Sequence, residues 1–456
     1  MAKTKYKTLW YCSECGADSP KWAGRCPSCG AWNTLVEERV AASAPLRSPS
    51  PVAGRKADAV ALNDIRAEEQ PRIKLPSGEL NRVLGGGLVP GAMVLIGGEP
   101  GVGKSTLVLQ NLLAIKTKTI LYASGEESAT QLKMRADRLG RGSDNLFVAC
   151  ETSLESIMGH IEKVQPGIVV IDSIQTIASD ALDSSAGSVS QVRECAARLL
   201  AYAKTSGVPV ILIGHITKEG SLAGPKVLEH IVDAVLQFEG DRQYMFRILR
   251  AIKNRFGSTS ELGIYEMGRS GLREVTNPSE LLLGDLAEEL SGVAIGVTVE
   301  GARPFLIEVQ ALVSTAAYGT PQRTVTGFDS KRMNMLLAVL EKRVGFKLAA
   351  KDVFLNIAGG IKVADPALDL PVVCAILSSN FDTVVPRDTC MAGEVGLSGE
   401  IRPVGRMEQR VAEAEKLGMS RMIVPRGSLK GVDVSRFKIT VIEVARVDEA
   451  FKHLFA

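Results

Sequence analysis

A run of ten residues, Gly97-Gly98-Glu99-Pro100-Gly101-Val102-Gly103-Lys104-Ser105-Thr106, restricts the fold of this chain more than any other stretch. It follows an apolar run, Met93 to Ile96, and leads into a helical repeat of Leu107, Val108, Leu109, Leu112 and Leu113. Read as Gly98-x4-Gly103-Lys104-Ser105, it is a nucleotide-binding P-loop in the strand–loop–helix setting the motif requires. Glycines let backbone N–H groups curl around phosphate oxygens, and the following helix turns its positive end toward them. Gly98 through Thr106 then form the cradle for ATP or ADP. Lys104 neutralises the β- and γ-phosphates, and Ser105 holds Mg²⁺.

The 456 residues allow two or three domains, and 45% hydrophobic with 23% charged content is ordinary for a globular chain. A net charge of +3 is too small to argue for nucleic acid by itself. No apolar run approaches the ~18 residues of a membrane span. Lys3, Lys5 and Lys7 are followed by no apolar segment of a secretory signal, so the expected setting is the cytoplasm. Cys150, Cys195, Cys374 and Cys390 stand singly among apolar residues and are expected to pack as small hydrophobes.

The other four cysteines read Cys12-x2-Cys15-x10-Cys26-x2-Cys29. Paired knuckles of this kind supply four thiolates to a closed tetrahedral site, which suits structural zinc. Two disulfides are the alternative, disfavoured in the cytosol. All three tryptophans, Trp10, Trp22 and Trp32, surround the knuckles. They are expected to form the mini-core of the ribbon, with stacking on bases or on a partner as the sharper reading. From Val40 to Gly54 the chain is rich in Ala, Ser and Pro, which predicts a flexible linker and a mobile zinc module.

Between about Arg72 and Arg273 apolar strands alternate with helical segments, predicting an α/β domain around a mostly parallel sheet. Its chemistry falls at strand ends. Thr119–Ala123 leads to Glu126 and Glu127, either a base for the attacking water or simply helix-start charge. Gly167–Ile171 ends at Asp172, the Walker-B position for a carboxylate that reaches Mg²⁺. Val208–Ile213 ends at His215, either a γ-phosphate sensor or a satisfied structural histidine, before a Gly-rich loop whose Lys218 and Lys226 are candidate DNA contacts. After a strand over Met245–Ala251 comes Lys253-Asn254-Arg255-Phe256-Gly257, either a solvated basic turn or fingers that reach ATP on a neighbouring subunit.

The four-cysteine ribbon, the Gly98–Ser105 loop and this pentapeptide, in this order, resemble the bacterial RadA (Sms) family of RecA-like DNA-repair ATPases over essentially the whole chain. The pentapeptide sets that family apart from RecA. The resemblance implies a RecA-like P-loop core in hexameric rings with ATP between subunits and single-stranded DNA in the channel. It also implies processing of branched recombination intermediates by branch migration and heteroduplex extension, beside a RecA-type recombinase. Residue by residue, Lys104 and Ser105 match the phosphate and Mg²⁺ groups, Asp172 the Walker-B carboxylate, and Glu126 the catalytic glutamate, with Glu127 one place away. His215 matches the polar γ-phosphate sensor, and Lys253 with Arg255 the basic pair that crosses the subunit interface. Segments 174–188 and 217–226 lie where RecA-like proteins keep their DNA-binding loops.

From about Pro278 the pattern changes. Strand-like Gly292–Glu300 and Pro304–Val313 predict a hairpin, Asp329 caps a helix, and strand Val353–Ile357 and helix Leu368–Leu377 follow. With the run Gly393–Gly405 these segments resemble the proteolytic domain of Lon. That chemistry needs a serine nucleophile and a lysine base. The matching positions hold Ala367 and Glu408, so a scaffold for ring assembly and DNA contact is expected, not a peptidase. Lys342, Arg343, Lys347 and Lys351 are candidate phosphate contacts, with plain solvated charge as the alternative. The expected organisation is a zinc ribbon over 1–36, a linker over 37–70, a RecA-like ATPase domain over 71–275, and an α+β Lon-protease-like domain, proteolytically inactive, over 276–456. Two rival functions remain: an ATP-dependent Lon-like protease, and a nucleotide-gated regulatory ring of the KaiC type.

Overall fold

The computed structural model describes residues 6–41, 71–140, 142–215, 225–240, 246–283, 290–316, 320–360 and 362–455. The chain divides after Val275 into two compact units.

In the first unit six strands run parallel, in the spatial order Ala234–Glu239, Met93–Gly98, Val210–His215, Ile168–Asp172, Ile120–Ser124 and Leu146–Cys150. Three antiparallel strands, Phe246–Asn254, Leu262–Gly268 and Gly271–Glu274, extend one edge. The four central parallel strands are buried, largely apolar runs, as strands with helices on both faces require. Helix Lys104–Leu113 places Leu107 and Leu112 on one face, and helix Val189–Ser206 places Val192, Cys195 and Leu199 on the other.

Two expectations need correction here. Lys253 and Asn254 do not follow a strand; they end one, because a bulge between Ala251 and Lys253 carries the pairing on to Val235 and Ala234. Cys150 is exposed, not packed, since its strand is the sheet's last and has only one neighbour to cover it. Cys195, Cys374 and Cys390 are buried as expected, and burial pushes the Cys195 and Cys374 thiols up to about 12.

The ribbon is an antiparallel sheet of Tyr6–Cys12, Asp18–Ser19 and Leu35–Ala41. It is docked rather than loose. Leu9 and Tyr11 join the apolar cluster around Val192 and Leu199. Glu38 accepts hydrogen bonds from Val189 N at 3.0 Å and from the Ser190 hydroxyl, and Arg193 Nη1 donates to Gly16 O at 2.7 Å. A carboxylate at the first turn of helix Val189–Ser206 is favoured by unpaired N–H groups there. Most of the predicted linker lies outside the described residues.

The second unit has a mixed seven-stranded sheet, ordered Arg323–Thr326, Lys351–Ile357, Arg303–Thr315, Val293–Glu300, Thr389–Met391, Arg421–Pro425 and Thr440–Val444. The hairpin pairs Val299 with Pro304 and Glu300 with Arg303. Asp329 caps helix Ser330–Val339 by accepting from Arg332 N. Helix Asp369–Phe381 is buried from Asp369 to Ser378.

Candidate functional site

Four neighbouring parallel strands end at one edge of the sheet, where Gly98 stands level with His215 and Ser124 level with Asp172. Ligands of open α/β sheets bind at this carboxyl edge. Helix Lys104–Leu113 starts from Gly103, whose φ of 109° disfavours any residue with a side chain. A Cβ there would also stand 2.6 Å from Met267 Cε.

Lys104 is only 4% exposed, and its ammonium donates to Gly98 O at 2.8 Å and Glu99 O at 3.0 Å. Its third contact is His215 Nδ1, at 3.2 Å. An ammonium only donates, so Nδ1 is the acceptor and the imidazole proton sits on Nε2. Nε2 in turn lies 2.9 Å from Glu126 Oε1, which also accepts from Ser173 Oγ at 2.6 Å. Burial pulls Lys104 down to about 8, against the opposing charges of Asp172 and Glu126. The hydrogen bond from His215 holds Glu126 down at about 2, with Ser173 and Lys104 adding to it against burial. The adjacent Glu127 turns away and pairs with Arg135.

Asp172 is buried, and its Oδ2 accepts from the hydroxyl of Tyr122, itself fully buried. Its other oxygen, Oδ1, is buried with no partner among the described residues. An orphan carboxylate oxygen beside a P-loop fits a bound Mg²⁺ or one of its waters, with Ser105 as the hydroxyl ligand on the helix. Beside Thr106 opens a cleft of about 440 Å³ lined by Arg138, Leu139, Met267 and Arg269, large enough for a base and its sugar. The sequence reading missed Arg138, Met267 and Arg269, because only the fold brings helix Ala129–Arg138 and the turn at 268–271 to the P-loop.

The pentapeptide is held elsewhere. Lys253 Nζ donates to Glu229 O and to Val232 O, the latter at 2.9 Å, and burial lowers its pKa. Arg255 is 57% exposed; its backbone N donates to Asp233 O at 3.1 Å, and its Nη1 lies 3.4 Å from Asp233 Oδ1. Asp233 also accepts from Met93 N at 3.0 Å and Lys204 Nζ at 2.7 Å, so the basic pair sits where the P-loop strand begins. Asn254 Nδ2 donates to Val83 O at 3.1 Å, and a Cβ on Gly257 would stand 2.9 Å from Gly85 Cα. The structure therefore does not bring Lys253 and Arg255 to their own P-loop.

Lys218 lies outside the described residues, as does the side chain of Lys226 in helix Pro225–Ile231. Segment 174–188 is pinned by Gln191, whose Nε2 donates to Ser179 O, Leu182 O and Ser184 O at 3.1, 2.9 and 3.0 Å.

In the ribbon the four cysteine sulfurs lie within 4.8 Å of one another, with Cys12–Cys29 and Cys15–Cys26 each at 3.7 Å. A tetrahedral zinc with bonds of ~2.3 Å holds its sulfurs ~3.8 Å apart, so the set fits zinc and excludes disulfides. Gly16 N and Gly30 N close the knuckles onto Cys12 O and Cys26 O at 2.8 and 2.9 Å. The tryptophans divide. Trp10 packs against the cysteines, but Trp22 and Trp32 are 57% and 70% exposed and form no core, because the metal replaces one.

In the second unit Ala367 is buried in the turn Pro366–Leu368, and Glu408 pairs with Arg436. Beside Ala367 lies a buried ion pair, Arg410 Nη2 to Asp365 Oδ2 at 2.8 Å, completed by Val299 N donating to Asp365 at 2.8 Å and Arg410 donating to Val297 O at 2.6 Å. Arg343 Nε reaches Leu397 O at 3.3 Å and Lys351 Nζ reaches Thr315 Oγ1 at 3.2 Å, while Lys342 and Lys347 are exposed.

Residues 10–37 match a family model described as a rubredoxin metal binding domain, residues 66–221 an AAA domain, and residues 309–428 the subunit ChlI of Mg-chelatase. DNA repair protein RadA of Bacillus subtilis is 51% identical, covering 99% of this chain and 99% of its own length. The chain belongs to the RadA family of DNA repair proteins. RadA of Listeria monocytogenes is 48% identical, again over 99% of both chains. A KaiC-like protein of Pyrococcus horikoshii aligns with 45% of this chain and 99% of its own, at 22% identity and a TM-score of 0.38. As a RadA-family member this is a RecA-like ATPase of DNA repair with a four-cysteine zinc ribbon. Among the described residues no helix is long and apolar enough to cross a membrane.

Proposed function

We propose that this chain is a DNA-dependent ATPase that works in the cytoplasm as a hexameric ring around single-stranded DNA. It drives branch migration and heteroduplex extension of recombination intermediates beside a RecA-type recombinase. The observation that carries this is the place of Arg255. Asn254 pairs with Ala234, which is level with Val94, whereas the P-loop opens at Gly98. Four residues of strand are ~13 Å, and the exposed guanidinium meets Asp233 at the start of that strand, so it is remote from its own P-loop and suits the site of a neighbouring copy. Lys253 braces it by binding the carbonyls at the end of helix Pro225–Ile231.

Within one subunit the roles follow from the hydrogen bonds. Lys104 exchanges two backbone carbonyls for phosphate oxygens, and the cleft beside Thr106 takes the base. That exchange removes the donor that fixes His215 through Nδ1. Glu126 then loses a hydrogen bond that suppresses its basicity, and it can orient the attacking water and accept its proton. Asp172, steadied by Tyr122, keeps Oδ1 for Mg²⁺, which supplies charge neutralisation at the phosphates. Segments 174–188 and 217–226, with Lys218 and Lys226, are read as the DNA-contacting loops, and His215 links the second of them to Glu126. The second unit is a scaffold, since Ala367 has no nucleophile and Glu408 is already paired.

The test is ATP turnover with and without a single-stranded oligomer, with subunit number measured by light scattering in the same samples. Stimulated turnover by an assembled ring is expected. A solitary subunit indifferent to DNA overturns the proposal, and slow turnover by a ring that ignores DNA favours the KaiC-type reading.

A further inference from the structure

Two of the three tryptophans serve no core. Trp22 and Trp32 are 57% and 70% exposed on a module whose fold the metal site holds. They are neighbours: a Cβ on Gly24 would stand 3.8 Å from Trp22 Cη2 and 3.8 Å from Trp32 Cζ3, so the two indole edges lie no more than about 7.6 Å apart. Arg25 holds its guanidinium 5.8 Å from the centre of the Trp32 ring while its Nε donates to Gly30 O at 2.8 Å. Lys21 is exposed beside Trp22, and from Ser19 to Val36 the chain has no carboxylate.

We infer that Trp22 and Trp32, with Lys21 and Arg25, form a stacking platform for single-stranded nucleic acid on the zinc ribbon, separate from the channel loops. Two adjacent π-faces with cations beside them and no acidic residue between match unstacked bases and their phosphates, and they read no sequence. The platform is fixed to the motor. Glu38 binds Val189 N, and Arg193 binds Gly16 O, so the ribbon rides on the helix that begins where segment 174–188 ends. A strand held on the platform is thereby coupled to the body that hydrolyses nucleotide. This inference rests on the DNA-motor reading above.

Because all three tryptophans belong to the ribbon, tryptophan fluorescence of the full chain, excited at a wavelength that tyrosine does not absorb, reports this module alone. Titration with a dT oligomer is expected to quench it. Trp22→Ala and Trp32→Ala should each weaken oligomer binding at least about fivefold, the low end of one stacked base. Trp22→Phe and Trp32→Phe should keep most of the affinity. Lys21→Gln should lower the salt slope of log affinity by about 0.7. Zinc content and DNA-free turnover should not change in any of them. Unquenched tryptophan alongside DNA-stimulated turnover overturns the platform and leaves the motor reading standing. Absence of both quenching and stimulation removes the two together. Alanine variants that bind the oligomer normally but lose a protein partner also overturn it, in favour of a docking site for protein.

Discussion

Lys104 gives the sharpest pH test. Without nucleotide its ammonium is buried against two carbonyls and an imidazole, and burial brings it down to about 8. Phosphate oxygens in contact favour the charged form, so binding must raise that value. The sign follows from linkage: a site that binds nucleotide only when protonated takes up a proton on binding above pH 8 and loses affinity as pH rises. With a starting value of about 8, Lys104 is about nine-tenths protonated at pH 7 and about one-tenth at pH 9. Mg-ADP should therefore bind about tenfold more weakly at pH 9 than at pH 7, or ~1.4 kcal/mol. Calorimetry in buffers of different ionisation enthalpy should show uptake of about 0.9 proton at pH 9 and about 0.1 at pH 7. Lys104→Arg cannot titrate in this range, so its affinity, though weaker, should be flat. A flat profile for the unmodified chain, or the same proton uptake in Lys104→Arg, would refute the placement of Lys104 against phosphate.

Four further outcomes follow from contacts outside the P-loop. Tyr122→Phe leaves Asp172 Oδ2 without its donor, so the Mg²⁺ needed for half-maximal turnover should rise severalfold while nucleotide binding in EDTA stays constant; an unchanged Mg²⁺ requirement contradicts a positioning role. Gly257→Ala drives a methyl into the Gly85 backbone and should destabilise the first unit by about 1–3 kcal/mol in denaturant melts, whereas Arg255→Ala should leave stability nearly intact and slow only the assembled ring. Asp365→Asn strands the buried Arg410 charge and should cost about 3–5 kcal/mol, with much of it restored by Asp365→Asn combined with Arg410→Met; an additive double variant argues against the pair. Chelation of zinc should expose the amides of Leu9 and Tyr11 to hydrogen exchange, since metal binding supplies ~10–16 kcal/mol in comparable modules.

What could be read before the structure was what lies close together in sequence. The P-loop, the cysteine knuckles and the carboxylate after an apolar strand each pack their chemistry into a few residues, and local spacing is enough to see them. Asp172 was legible for that reason; its support was not. Tyr122 is 50 residues away and looks like any aromatic in a strand, until parallel pairing places it against the neighbouring strand that ends at Asp172. Glu126 and Glu127 are told apart by their partners, His215 at 89 residues' distance and Arg135 on the next helix, and only the fold decides which carboxylate meets which.

The same separation explains the ribbon and the pentapeptide. Three tryptophans around four cysteines read as a core to any rule that equates aromatic with buried. That rule fails in a module whose folding energy comes from metal, because its aromatics are released for the surface. Lys253-Asn254-Arg255-Phe256-Gly257 reads as one basic motif, yet its residues divide by role once their partners are seen. Asn254 and Gly257 fasten the turn to residues 83–85, Lys253 binds helix-end carbonyls, and Arg255 alone has most of its side chain in solvent. With Lys253, Asn254 and Gly257 holding the turn, the trans-acting role proposed for the pentapeptide falls to Arg255. Replacing that residue should slow hydrolysis in the assembled ring, and replacing Lys253, Asn254 or Gly257 should first be felt as lost stability.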